Sequence, residues 1–183
     1  MKTALVILAE GFEEVEAVVP VDVLRRAGVR VTIAGVTDLR VKGSRMIGLA
    51  ADILLKDLVD LPDAVILPGG LPGATNLAKS EEVSKLVKKM NVAGKIVAAI
   101  CAAPAAVLAP LGILDGKKAT CYPGCEADFS KKTVHSKDRV VVDGNIITSQ
   151  GPGTALEFAL AIAVRLAGQD MADNVRDKML IPS

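Results

Sequence analysis

Short apolar runs alternate along the chain with longer amphipathic ones, and this alternation predicts most of its elements. Residues 3–8, 29–34, 64–67 and 96–100 are apolar, largely β-branched and bounded by turn residues, the pattern of buried strands. Residues 15–27 place apolar side chains on most helical turns and stop at Gly28, a residue suited to the left-handed position after a helix. Pro20, inside that run, is expected to kink or restart it. From 81 to 93, Val83, Leu86, Val87 and Met90 form one stripe, with acids in the first turn, Lys88 and Lys89 near the last, and Gly94 as the stop. A helix from Thr154 to Gly168 opens on Thr154-Ala155-Leu156-Glu157, the pattern of a capping box, and its apolar interior predicts burial on more than one side. Residues 140–142 and 146–148 flank Asp143-Gly144-Asn145 as the arms of a hairpin, and a final helix is expected around 171–178.

Strands separated by helices at roughly thirty-residue spacing define an α/β fold, one parallel sheet covered on both faces. In the flavodoxin-like order 2-1-3-4-5 of such a three-layer α/β/α sandwich with a mostly parallel sheet, the third strand lies between the first and the fourth. Ligands then sit beyond the carboxyl ends of those strands. Three turns converge there: the acidic stretch from Glu10 to Glu16, the turn Leu67-Pro68-Gly69-Gly70, and Ala99-Ile100-Cys101-Ala102-Ala103-Pro104.

Two apolar stretches invite other readings. Residues 4–9 resemble a secretory signal until Glu10 cuts the run short, so they read as the first strand. Residues 96–114 carry no charge and are long enough to suggest a membrane span, but Pro104 and Pro110 would break such a helix twice. Strand, turn and buried helix is the better reading of that segment, and no membrane partner is expected.

Composition narrows the picture further. A chain of 183 residues, 51% hydrophobic, is expected to form one domain over residues 1–183, and with only 2% aromatics its core must be built from Val, Ile, Leu and Ala. A formal charge of +1 gives no field to gather nucleic acid. Three cysteines and no export signal point to reduced thiols and a cytoplasmic location.

Cys101 is the candidate nucleophile. A thiol between a strand and a helix N-terminus feels the helix dipole and nearby amides, which favour the thiolate. Ala99, Ala102 and Ala103 keep the bend uncrowded, and Pro104 can begin the helix without wasting a donor. Free cysteine is also among the most buried residue types, so position alone leaves a packing role open. Gly69 and Gly70 can turn backbone amides into the crevice to hold an oxyanion, although a Gly-Gly turn often only reverses the chain. Glu16 belongs to an acidic stretch expected to be mostly a solvated helix start. One carboxyl facing the thiol from an apolar crevice would have its pKa raised and could donate a hydrogen bond to sulfur.

Other chemistries find less in the chain. The sole histidine, His135, lies in a polar loop-like stretch, which gives little support to a Cys-His dyad. Cys121, Cys125 and His135 match no standard zinc spacing and lack a fourth ligand, so no metal is expected. Four glutamates after the first strand would repel a flavin phosphate. Pro68-Gly69-Gly70 stands where a phospho-acceptor domain needs an aspartate.

Residues 4–9 with Gly11 and Glu13-Glu14-Val15-Glu16, the run Val65-Ile66-Leu67-Pro68-Gly69-Gly70, Ala98-Ala99-Ile100-Cys101-Ala102, and Thr148-Ser149-Gln150-Gly151-Pro152-Gly153-Thr154 together resemble the ThiJ/PfpI superfamily over essentially the whole chain. The closest resemblance is to the branch containing the human parkinsonism-associated deglycase and its bacterial relatives. It implies a flavodoxin-like homodimer in which Cys101 matches the reactive, easily oxidised cysteine and Glu16 the protonated acid beside it. Gly69, Gly70 and Ala102 match positions whose backbone lines the pocket, and Arg45 a nearby position able to hold an anionic group. The implied chemistry is cofactor-free action on small aldehydes such as methylglyoxal, or on their glycated adducts. The competing implication is a peroxide sensor or chaperone signalling through oxidation of Cys101. Two departures narrow this. Ala102 stands where protease-like members carry a histidine, which argues against peptidase activity. Local alignment puts Lys132, with His135 three residues on, where the human protein has a histidine near its pocket.

Overall fold

The computed structural model describes residues 1–182. In chain order, β1 (Thr3–Leu8) leads into α1 (Glu14–Arg26) and β2 (Arg30–Gly35), followed by the hairpin of β3 (Arg40–Lys42) and β4 (Gly48–Ala50). Next come β5 (Ile53–Leu54), β6 (Ala64–Leu67), α2 (Gly73–Lys79), α3 (Glu81–Val92) and β7 (Ile96–Ile100). The C-terminal half contains β8 (Lys118–Ala119), β9 (Val134–His135), β10 (Val140–Asp143), β11 (Ile146–Ser149), α4 (Ala155–Ala167) and α5 (Gln169–Lys178).

Seven strands form the central sheet in the order β10-β11-β7-β6-β1-β2-β5. Every neighbouring pair is parallel except β10 with β11. This is the flavodoxin-like sandwich expected from the alternation, with β6 between β1 and β7. Strand periodicity sorts the apolar residues into two layers. Ala4, Val6, Leu8, Ile66, Ala98 and Ile100 pack against α1 and α4, whereas Leu5, Ile7, Val65, Leu67, Val97 and Ala99 pack against α3 and the segment after Cys101. No helix among the described residues is long and apolar enough to cross a membrane.

Some local signals resolve differently from their sequence pattern. α1 runs through Pro20 as one helix of 13 residues rather than restarting; Pro20 has no N–H to give the preceding turn, and its buried ring packs inward instead. The capping box at Thr154 does not form. The Thr154 hydroxyl lies 2.6 Å from that of Ser149 and donates to the Gly151 carbonyl at 2.8 Å, and Glu157 is drawn to Arg139, whose Nε donates to it at 2.7 Å. Tertiary partners outbid the local motif at both ends.

Asp63 ties three strand starts together. It accepts from the Thr3 amide at 3.0 Å and from Lys95 Nζ at 2.8 Å, with Lys2 Nζ at 3.6 Å. The Lys95 hydrogen bond is the main cause that holds its carboxyl down at about 2, below the usual 3.8. A depressed carboxylate contributes stability that is present above the unfolded pKa and lost as pH falls through the folded one. Asp63→Asn is therefore expected to lower stability by about 1 kcal/mol at neutral pH after allowing for solvent screening. The difference from the parent should vanish as pH falls from about 4 to 2 in urea titrations; a constant difference across that window would contradict this account.

Candidate active site

β7 ends at Ile100, and the chain bends at Cys101 with φ of 65°. A side chain in the left-handed region costs about 1–2 kcal/mol, so the surroundings must impose the conformation. They do so from both sides. The Cys101 amide donates to the Ser149 carbonyl at 3.0 Å, and the Tyr122 amide donates to the Cys101 carbonyl at 2.8 Å. The bend brings Cys101, 9% exposed, to a cavity of about 470 Å³. Gly70, Ala102, Glu13, Arg45, Tyr122 and Cys125 line this cavity with the cysteine.

The expected helix after Cys101 is only a π-helical turn, Pro104–Leu108, in which the Ala109 amide donates to the Pro104 carbonyl at 3.0 Å. Pro110 follows at once, and so short a run carries little dipole. The groups favouring negative charge on sulfur are instead two individual amides, those of Gly70 and Ala102.

Glu16 sits in the first turn of α1 and is fully buried. Its Oε2 accepts from the Gly69 amide at 2.8 Å, while Oε1 is buried without a hydrogen-bond partner. The Cys101 thiol lies beside this carboxyl group, close enough for each to shift the other's titration. Burial raises Glu16 from 4.5 to about 7, against the lowering effect of the Gly69 amide and the thiol. Burial, followed by the charge of Glu16, pushes the Cys101 thiol up to about 12 against the Gly70 and Ala102 amides. The raised carboxyl is as expected. The thiol departs from expectation in direction: burial works against its ionisation and outweighs the two amides that favour it.

Gly69 also departs from its expected role. Its amide is taken by Glu16 and does not face the cavity, which leaves Gly70 and Ala102 as the donors near sulfur. Its lack of a side chain is nonetheless required. A Cβ at Gly69 would stand 2.7 Å from the Cys101 Cβ and 2.9 Å from Glu16 Oε2. Gly69→Ala is expected to cost about 1–3 kcal/mol by overpacking. Chemical denaturation measures this directly, and an unchanged midpoint would show that the contact relaxes freely.

The acidic stretch is not a solvated helix start. Glu14 is 5% exposed, and its Oε1 accepts from the amides of Arg45 at 2.8 Å and Ile47 at 3.2 Å. Glu13 accepts from the Ser44 hydroxyl at 3.0 Å, and Glu10 from the Lys42 amide at 3.0 Å. The hairpin of β3 and β4, unseen in the sequence pattern, folds back and supplies these donors. Arg45 consequently stands at the cavity rim, exposed, with Nε 3.9 Å from Glu13 Oε2. Its place near the pocket agrees with the expectation.

Tyr122 and Cys125 were missed as pocket residues. The only local hint is that Cys121-Tyr122-Pro123-Gly124 reads as a turn, and nothing nearby in sequence reveals its bond to Cys101. His135 is exposed and packs edge-on against Phe129, while Lys132 pairs with Asp115 at 3.3 Å. Neither lines the cavity, which has no imidazole among the described residues.

Residues 2–165 match the model of the DJ-1/PfpI family. The chain is 45% identical over 183 residues to protein dj-1beta of Drosophila melanogaster, covering 98% of this chain and 97% of that one. It is 36% identical over 177 residues to a Caenorhabditis elegans protein named glutathione-independent glyoxalase DJR-1.2, covering 95% and 94%. Against two longer relatives it spans less than half of their length. Among solved structures, that of Toxoplasma gondii DJ-1, oxidized, superposes with a TM-score of 0.94 at 36% identity over the whole of both chains. With the family match spanning most of its length and relatives this similar over nearly all of it, the chain belongs to the DJ-1/PfpI family.

Proposed function

We propose that the protein converts small α-oxoaldehydes, methylglyoxal among them, to hydroxy acids without glutathione or any other cofactor, using Cys101 as nucleophile and Glu16 as base. The observation that carries this reading is the fully buried Glu16 carboxyl, raised to about 7, against the Cys101 thiol in an accessible cavity. A base works best when its pKa lies near the working pH.

Glu16 takes the thiol proton as sulfur bonds to the aldehyde carbon, so free thiolate need not accumulate. The oxygen left negative lies near the Gly70 and Ala102 amides and receives that proton from Glu16, which gives a hemithioacetal. Glu16 then moves the proton from the former aldehyde carbon to the neighbouring carbonyl carbon, while the hydroxyl proton passes to the oxygen of that second carbon through an enediol. This yields a thioester of the hydroxy acid, and water cleaves it to release acid and thiol. Aldehyde and water enter, hydroxy acid leaves, and no redox partner is needed. Arg45 at the rim suits an anionic product. The relative named a glutathione-independent glyoxalase supports this choice of reaction. Removal of glycated adducts from amines and thiols is the same chemistry on a larger substrate. Lactate formation from methylglyoxal by purified, glutathione-free protein is the test, and its absence would remove the reading.

A second reading rests on the relative described as oxidized. Peroxide transfers one oxygen to the Cys101 sulfur with loss of water, and a second peroxide gives the sulfinic acid, which protonated Glu16 can hydrogen-bond. Intact-mass measurement after mild peroxide should find two added oxygens, absent from a Cys101→Ala variant.

Pairing with a second copy is part of the proposal. Val15 and Val18 on α1, each 44% exposed, and Met46 and Ile47 in the β3–β4 turn that Glu14 ties to α1 are exposed apolar residues available for such pairing. Sedimentation should give twice the 19.0 kDa chain mass; a monomer at micromolar concentration would exclude the pairing.

A further inference from the structure

Beyond the Cys101 cavity, a second cluster of reactive side chains gathers where the turn after β8 meets β9. One ligand atom each from Cys121, Glu126 and His135 lies within 4.8 Å of the other two. We propose that these three residues form a site for a divalent transition-metal ion of the zinc type, bound by thiolate, carboxylate and imidazole. It does not depend on the aldehyde chemistry.

The donor set suits a borderline ion. Around tetrahedral zinc, ligand atoms bound at about 2.0–2.3 Å stand roughly 3.3–3.8 Å apart, so the cluster needs only a small contraction. His135 and Glu126 lie toward the surface and can make that movement, while Cys121, 1% exposed, stays fixed. Three protein ligands leave a fourth position for water. Cys121, Cys125 and His135 match no zinc pattern; the fold instead sets Glu126, five residues after Cys121, beside Cys121 and His135, and Cys125 is not part of the cluster.

The ligands are also supported from behind, as metal ligands commonly are. Gly124, at φ of 96°, donates its amide to Glu126 Oε2 at 2.6 Å and so orients the carboxylate. The His135 ring packs edge-on to Phe129, with centroids 6.0 Å apart. On binding, the cation takes the sulfur as thiolate, and the thiol proton leaves to solvent. Because the Tyr122 amide bonds to the Cys101 carbonyl and Cys125 lines the cavity, an ion held by Cys121 and Glu126 would stiffen one wall of that cavity.

Cobalt titration is the test, made on full-length Cys101→Ser protein so that the pocket thiol cannot contribute. One equivalent of Co2+ should produce an intense sulfur-to-metal absorption band with the visible bands of a four-coordinate ion, and Zn2+ should displace it. Cys121→Ser should abolish the sulfur band. His135→Ala and Glu126→Gln, which change less buried residues, should weaken binding at least about tenfold. Circular dichroism confirms that each variant is folded. Cys125→Ser should keep the band. No band at one equivalent, undiminished binding by His135→Ala, or loss of the band in Cys125→Ser but not in Cys121→Ser would each overturn the site.

Discussion

Lactate formation from methylglyoxal should fall by about 10³-fold or more in both Cys101→Ala and Cys101→Ser, with the fold intact. Alanine removes the attacking atom. Serine keeps an oxygen in place, but a hydroxyl is a weaker acid and a poorer nucleophile than a thiol, and this site has no Ser–His–acid arrangement to activate it. The two variants should therefore be equally inactive, which separates loss of nucleophilicity from loss of volume. Both retain a Cβ at φ of 65°, so neither relieves the backbone strain, and unfolding midpoints should move little. Turnover by Cys101→Ala at the parental rate would place the chemistry elsewhere.

Glu16→Gln is expected to reduce kcat/KM by about 10²–10⁴-fold and to remove the pH dependence that the carboxyl imposes. In the parent, the ionised base is needed, so the rate should climb with pH through about 7 and then level off. The same variant should gain stability. In the unfolded chain Glu16 ionises near 4.5, while in the fold it keeps its proton until about 7. Between those values rising pH therefore favours unfolding, and above 7 the penalty is constant. Its upper bound, from the shift alone, is about 3 kcal/mol. Glutamine has no charge to bury, so melting temperatures of parent and variant should agree below pH 4.5 and diverge in favour of the variant above pH 7. A variant that is equally active, or no more stable at pH 8, would show that Glu16 is not the strained base described here.

These expectations follow residues the sequence already singled out, and the reason is local. Cys101 and Glu16 each lie at the end of a strongly patterned strand or the start of a patterned helix, and parallel topology brings such ends to one edge. Gly70 and Ala102 were legible for the same reason. What escaped was long-range. The hairpin of β3 and β4 has strands of three residues with few buried side chains, too short to show a period, and its register depends on carboxylates thirty residues away. The burial that pushes the Cys101 thiol up is not legible in the sequence, which shows which amides are near a thiol but not how little water remains. The role of Gly69 was misassigned because its amide is claimed by a side chain 53 residues distant. The capping pattern at Thr154 failed to two tertiary partners, Ser149 and Arg139.

Glu14 and Glu16 are two places apart on one helix, and such neighbours point in nearly opposite directions. One reaches out to hold the backbone of Arg45 and Ile47, and the other reaches in to the sulfur. α1 thus joins the acid beside the sulfur and the backbone of the arginine at the cavity mouth through one rigid element, so a substitution that shifts this helix would disturb both ends of the pocket together.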